Sequence, residues 1–340
     1  MSNTRVLRWG LLSTANINSV IISALRATPS GESPRNLLSA VASRGEDRAR
    51  AYAAEWNIET AFGSYEAMLA SPDIDVVYIS LPNSLHAEWT IKALNAGKHV
   101  LCEKPLANTV EEVDAMVAAA KATGMVLAEA FMYRHHPQTL HVKALVDAGA
   151  IGQIQIIRGA FSFPLADESN IRLNASLGGG SIWDVGCYPI SYARFLVGSE
   201  PSEVYGAAQI GHSGVDDTFV GMLRWHRPNG RDTFAQFDSS VRAPFRTHME
   251  IVGTEGLITI PHPFKPGARA EILVGASFDA LETVVIDGPA ELYIGEIEDM
   301  ADAILEGTPP RISHEDSRNN VKVIQALLKS ATANLRIAIR

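Results

Sequence analysis

Two short segments near the start of the chain carry residues whose types and spacing could hold a phosphate. Trp9-Gly10-Leu11-Leu12-Ser13-Thr14-Ala15-Asn16-Ile17 closes an apolar run with small residues and opens a helical pattern. A turn of this kind points free backbone N–H groups at a pyrophosphate. Only Gly10 is a glycine; Ser13 and Ala15 stand where further glycines are expected, and an ordinary strand-to-helix turn would read the same way. Ser43 and Arg44 follow a second apolar run, NLLSAVA at residues 36–42. Folds that bind NAD usually place an acidic residue there for the ribose hydroxyls. A guanidinium suits a phosphate dianion instead. NADP is therefore the expected cofactor and NAD the second choice, while a solvated loop arginine is the alternative reading of Arg44. Cys102 and Cys187 lie far apart without metal-ligand spacing, so no metal is expected. Reduced thiols point to the cytoplasm.

The elements that must position these residues follow from periodicity. The first third alternates strand and helix: strands at residues 5–12, 36–42, 75–81, 99–102 and 125–130, helices at 15–27, 46–56, 86–96 and 109–123. Thr109 with Glu112 reads as a capping box, and Gly97 and Gly124 as helix stops. This alternation predicts an α/β Rossmann domain, a doubly wound parallel sheet whose ligands lie at the strands' carboxyl ends. After about Gly149 the rhythm changes to successive strands at residues 154–163, 203–210, 218–225, 232–241, 247–252 and 257–260, with Gly253-Thr254-Glu255-Gly256 as a turn. That part reads as an α+β domain with a large open, mainly antiparallel sheet, closed by helices at 296–305 and 316–335. The expected domains are 1–125 for the dinucleotide and 126–340 for substrate and oligomerisation, with C-terminal helices able to pack back on the first.

Bulk properties agree with two domains: 340 residues, 46% hydrophobic and 20% charged. A net charge of -9 gives no basic footprint for nucleic acid. No apolar run approaches a membrane span, and the N-terminus shows no signal-peptide pattern before it enters a strand.

Four further segments make the reading specific: Leu81-Pro82-Asn83-Ser84-Leu85-His86; Ala96-Gly97-Lys98-His99-Val100-Leu101-Cys102-Glu103-Lys104-Pro105-Leu106; Glu129-Ala130-Phe131-Met132-Tyr133-Arg134; and Gly178-Gly179-Gly180-Ser181-Ile182-Trp183-Asp184-Val185-Gly186-Cys187-Tyr188. With Gly214-Val215-Asp216-Asp217-Thr218, this succession resembles the glucose–fructose oxidoreductase / inositol dehydrogenase (Gfo/Idh/MocA) superfamily over essentially the whole chain. It is most similar to the branch of dimeric dihydrodiol dehydrogenase and D-xylose 1-dehydrogenase. The resemblance implies that Lys104 reaches the substrate hydroxyl and that Tyr188, four positions after Asp184, is the acid/base. It implies cofactor contacts from Gly10, Ser13, Thr14, Ala15, Asn16, Ile17, Ser43, Arg44, Leu81, Pro82, Asn83, His86, Glu103 and Lys104. Tyr133 and Arg134 are expected at the substrate with Asp184 and Tyr188, though packing roles read equally well for the first two. His135 and His136 read as residues at a helix start.

The chemistry implied is hydride exchange between a nicotinamide and a carbinol carbon of a sugar or polyol. A free phenol, with a pKa near 10, is a poor base at neutral pH, and a neighbouring ammonium stabilises its phenolate. A Lys–Tyr pair thus suits proton transfer. The alternatives are a keto-sugar or dicarbonyl reductase using the same residues, and a dinucleotide-binding regulator without turnover; retention of both Lys104 and Tyr188 counts against the last. A homodimer or homotetramer through the open sheet is expected.

Overall fold

The computed structural model describes residues 5–27, 35–228 and 230–339. The N-terminal reading at residues 1–4 lies outside them. The chain divides into two compact units, Met1–Met132 with Glu291–Arg318, and Tyr133–Ala290 with Asn319–Arg340.

In the first unit β1 (Leu7–Leu12), β2 (Asn36–Ala42), β3 (Thr60–Phe62), β4 (Val76–Ile79), β5 (His99–Glu103) and β6 (Leu127–Ala130) form one parallel sheet in the order β3-β2-β1-β4-β5-β6. The connecting helices are α1 (Asn18–Arg26), α2 (Glu46–Trp56), α3 (Tyr65–Ala70), α4 (His86–Asn95) and α5 (Val110–Thr123). The order reverses beside β1, so the crevice at a topological switch point opens at the carboxyl ends of β1 and β4. Strand β3 and helix α3 were not anticipated; both are too short for their periodicity to stand out. The Thr109 capping box is present in full, and Gly124 takes a left-handed conformation at φ 71° to end α5.

In the second unit α6 (Pro137–Asp147) precedes β7 (Ile154–Ser162), and α7 (Cys187–Val197) precedes β8 (Glu203–Ile210), β9 (Asp216–Trp225), β10 (Thr233–Ser240), β11 (Arg246–Gly253), β12 (Leu257–Ile260), β13 (Arg269–Gly275) and β14 (Glu282–Asp287). These strands, with a short β15 (Ile337–Ala338), make a nine-stranded sheet ordered β14-β13-β12-β11-β7-β10-β9-β8-β15. Every pairing is antiparallel except β7 with β10, which run parallel. The expected turn at Gly253–Gly256 joins β11 to β12, with the Gly253 N–H donating to the Gly256 carbonyl at 2.8 Å.

Helix α8 (Ile294–Leu305) belongs to the first unit, and α9 (His314–Ala333) follows it. Ile297, Met300 and Ala301 of α8 pack into one core with Trp9, Ile21, Tyr78 and Leu101. Glu296 enters that core too: it is 2% exposed, and among the described residues neither carboxyl oxygen has a hydrogen-bond partner. Burial, then the charge of Glu103, raises its pKa well above the ordinary 4.5, so Glu296 is a neutral acid in the folded protein. The folded form then holds a proton that the unfolded chain releases above about pH 4.5, and stability falls as pH rises from there toward the folded pKa. Glu296→Gln removes this dependence. Thermal melting should show near-equal stability for the two forms at pH 4 and a gain for the variant that grows toward pH 8. A gap that does not widen with pH would contradict a neutral Glu296.

Candidate active site

The β1–α1 turn explains why serine can replace glycine. Ser13 adopts φ 154°, a value more readily reached by glycine. Its side chain does what a glycine could not: Oγ accepts the Ala15 N–H at 3.1 Å and lies 2.7 Å from Ser80 Oγ. Ser80 donates to Asn18 Oδ1 at 2.7 Å, and Asn18 Nδ2 returns to the Ser13 carbonyl at 2.8 Å. This buried ring ties the ends of β1 and β4 to the first turn of α1. It leaves Thr14, Ala15, Asn16 and Ile17 partly or fully exposed on the outer side of the turn. Gly10 serves packing, since a Cβ there would meet Met68 Sδ at 2.8 Å.

Arg48 was not singled out from the sequence. Its Nε donates to Thr14 Oγ1 at 2.7 Å, placing a guanidinium from α2 beside the turn. A hollow of about 470 Å³ there is lined by Thr14, Asn16, Ser19, Arg48, Tyr52 and Trp56, among others. Ser43 is buried at the end of β2 and Arg44 is exposed. Burial raises the pKa of the Tyr65 phenol, while the charges of Arg44 and Arg48 both lower it, so the two guanidiniums gather near one hydroxyl. Two guanidiniums beside a strand-to-helix turn fit a phosphorylated dinucleotide. The available signal was Arg48 on the first turns of α2, facing back toward the β2 end.

Lys104 follows β5 directly, at the sheet's carboxyl edge. Glu103 before it is clamped: Tyr78 donates its hydroxyl to Oε1 at 2.5 Å, and the Lys104 N–H donates to Oε2 at 3.2 Å. Its carboxylate thus shapes the approach to Lys104, where a cofactor contact was expected. His86 also differs from expectation. Its ring is fully buried, with Nδ1 2.9 Å from the Pro105 carbonyl and Nε2 2.9 Å from the Leu81 carbonyl. Burial lowers its pKa, opposed by those carbonyls. The imidazole braces the Leu81–Pro82–Asn83 corner against the cis Lys104–Pro105 peptide and presents no polar atom to a ligand.

In the second unit Asp184 sits in a π-helical turn, Ile182–Gly186, that runs into α7 with Tyr188 in its first turn. Such wide turns recur at functional sites. Asp184 Oδ2 accepts from Arg172 Nε at 2.6 Å. Tyr188, 5% exposed, is walled by Phe161, Tyr133 and Phe264, with ring centroids 5.3, 5.7 and 5.4 Å away. Tyr133 and Arg134 are both buried against α7. Tyr133 is fully buried and donates to Ser191 Oγ at 3.0 Å; Arg134 Nη1 donates to the same oxygen at 3.1 Å and stacks 4.0 Å over Phe195. His136 caps α6, its Nδ1 accepting the Gln138 N–H at 3.1 Å. Cys102 and Cys187 are buried free thiols, and burial pushes the Cys102 pKa up, away from reactivity.

A parallel sheet with a β1–α1 turn of the dinucleotide type, and a second unit whose π-helical turn and helix α7 carry Asp184 and Tyr188, are the features of an oxidoreductase. Residues 7–131 match the oxidoreductase family with an NAD-binding Rossmann fold, and residues 139–259 match the GFO/IDH/MocA C-terminal domain. A D-xylose 1-dehydrogenase (NADP(+)) of Haloferax volcanii is 37% identical over 98% of this chain and 100% of its own. A dTDP-3,4-didehydro-2,6-dideoxy-alpha-D-glucose 3-reductase of Actinomadura kijaniata is 33% identical over 97% of each. The crystal structure of aldose-aldose oxidoreductase from Caulobacter crescentus superposes with a TM-score of 0.86 at 26% identity, covering 98% of this chain and 100% of that one. The chain belongs to the Gfo/Idh/MocA oxidoreductase family, and it is an enzyme of that family, as its sequence motifs predict.

Proposed function

We propose that this enzyme exchanges hydride between NADP(H) and a carbinol carbon of a sugar, with Tyr188 as the proton-transferring group, Lys104 as its cationic partner and Asp184 orienting the substrate hydroxyls. The observation that carries it is Tyr188 itself: a phenol walled by aromatic rings on three sides, one helical turn from a carboxylate held by Arg172. The xylose dehydrogenase relative supports a sugar substrate and NADP. A nicotinamide bound at the first unit's turn would carry the hydride. The chain's own residues handle the proton. Oxidation of an alcohol requires a base for its hydroxyl proton, and a lysine ammonium near a phenol favours the phenolate that can take it. In the opposite direction the phenol returns the proton to the carbonyl oxygen. A keto-sugar reductase is the second reading, supported by the Actinomadura relative. NADP reduction with aldoses, against NADPH oxidation with keto sugars, separates the two.

For the 2′-phosphate we assign Ser43, Arg44 and Arg48. Each guanidinium lost should cost about 1.5–3 kcal/mol of NADP binding and leave NAD use nearly unchanged. Specificity constants for both dinucleotides in Arg44→Ala and Arg48→Ala check this; an equal loss with NAD would place the arginines elsewhere.

If Tyr188 and Lys104 act as one unit, their losses do not add. Tyr188→Phe keeps the ring packing and should lower kcat roughly 10²-fold or more with NADPH binding intact. Lys104→Ala should do comparable damage and displace the alkaline limb of the pH–rate profile. The double variant should be little worse than either. A folded Tyr188→Phe enzyme that keeps most of its activity would remove Tyr188 from the mechanism.

Self-association through the second unit's sheet belongs to the same reading. Val220 on β9 and Val285 on β14 are exposed, at 54% and 40%, which favours a covering partner. Sedimentation velocity at micromolar concentration should show a dimer or tetramer, and a monomer would refute it.

A further inference from the structure

One sequence motif is not used by the proposed chemistry: Val215-Asp216-Asp217 at the start of β9. Asp216 is 4% exposed, and the donors that meet its Oδ2 among the described residues are neutral. Its Oδ2 accepts the Ser181 hydroxyl at 2.7 Å and the Ile182 N–H at 2.8 Å. Ser181 has one proton and spends it on Asp216, so Ser239 Oγ, 3.0 Å away, donates to Ser181 in turn. Both serines are fully buried. The neighbouring chain is fitted to this carboxylate. Gly180, at φ 124°, could carry no side chain, since a Cβ would stand 2.4 Å from Asp216 Oδ1. Gly179 likewise lets the chain pass 2.5 Å, measured from an ideal Cβ, from the Arg172 carbonyl. Ser181 and Ile182 are the residues at which the chain enters the π-helical turn bearing Asp184, with Tyr188 one turn further on.

We propose that Asp216 is a positioning residue for the reaction: its ionised carboxylate anchors the entrance of the π-helical turn and so sets where Asp184 and Tyr188 stand. An all-donor surrounding needs an acceptor-only group. A carboxylate meets that need with both oxygens, whereas an amide offers a single acceptor. A negative charge at a helix start also complements its dipole. The inference rests on the reading of Tyr188 given above.

Burial raises the Asp216 pKa to about 6, countered by Ser181 and the surrounding amides. The charged groups on the elements around it are engaged elsewhere: Asp184 with Arg172, Asp217 with Arg242, Asp238 with Arg246, Arg224 with Asp232 and Glu203, Arg158 with Glu250, and Arg194 with Glu200. Tyr188, Tyr192 and Cys187 are the other titratable groups of α7. The folded-state pKa lies above the ordinary 3.8, so the ionised form costs stability, and this cost is present above about pH 6.

Asp216→Asn and Ser181→Ala test this on the full-length enzyme. In Asp216→Asn, amide hydrogen exchange in the segment 181–188 should quicken at pH 8 while the melting temperature there does not fall. Its kcat should drop about tenfold or more with the KM for NADP unchanged, and the acid limb of kcat near pH 6 should flatten. Ser181→Ala keeps the charge but removes one donor, so its acid limb should move to higher pH. Wild-type exchange and kcat in Asp216→Asn, or an unmoved limb in Ser181→Ala, would overturn the proposal. An Asp216→Asn protein that melts early and loses activity only with its folded fraction would also overturn it. Should the wild type turn over no sugar, the oxidoreductase reading falls, and the exchange contrast alone decides whether Asp216 anchors the turn.

Discussion

The first amides of a helix have no partner inside it, and both the β1–α1 turn and the π-helical turn are organised around that deficit. At the β1–α1 turn the solution is a ring of hydroxyls and an amide, Ser13, Ser80 and Asn18, closed in the interior, with Ser13 Oγ accepting the Ala15 N–H. At the π-helical turn the solution is one carboxylate, Asp216, with two serines behind it. The first arrangement fixes the turn at the carboxyl ends of β1 and β4. The second consumes donors to hold side chains still. Which groups remain available to a ligand follows from which amides the interior has already satisfied.

The buried acids show a related division. Glu103 accepts from Tyr78 and from the Lys104 amide, so it has partners on both oxygens. Glu296, close by in the same unit, has none among the described residues and stays neutral. Two ionised carboxylates in one apolar core would repel and lose hydration together. Around Tyr188 the surroundings are apolar, and Phe161, Tyr133 and Phe264 fix the ring through shape. Polar networks fix the backbone of the turn, and aromatic packing fixes the Tyr188 ring.

Arg172 links the two kinds of restraint. It holds Asp184 by a 2.6 Å ion pair, its carbonyl accepts the Gly180 N–H at 2.9 Å, and its neighbour Leu173 packs with Val215 and Val241. The segment before the glycine cluster is therefore tied to the turn it precedes. Its sequence can influence Asp184 without touching a substrate.

Local pattern determined the elements whose stabilising interactions are local. The parallel alternation, the Thr109 box, the Gly124 stop and the β11–β12 turn could be read directly, because periodicity, caps and turn residues act within a few positions. The placing of Lys104 after β5 and of Tyr188 in the first turn of α7 was legible from motifs of fixed spacing. Tertiary structure alone decided the rest. The parallel pairing of β7 with β10 joins residues about eighty positions apart, a distance over which no periodicity reports. Arg48 reached Thr14 only when α2 packed beside α1, and His86 became a brace once its ring was enclosed by two carbonyls. Tyr133 and Arg134 turned inward to Ser191, and Asp216 acquired its donors from a turn 34 residues earlier in the chain. A side chain's type sets what it can bond, but burial and the neighbours that folding delivers set what it does bond, and those neighbours come from distant sequence.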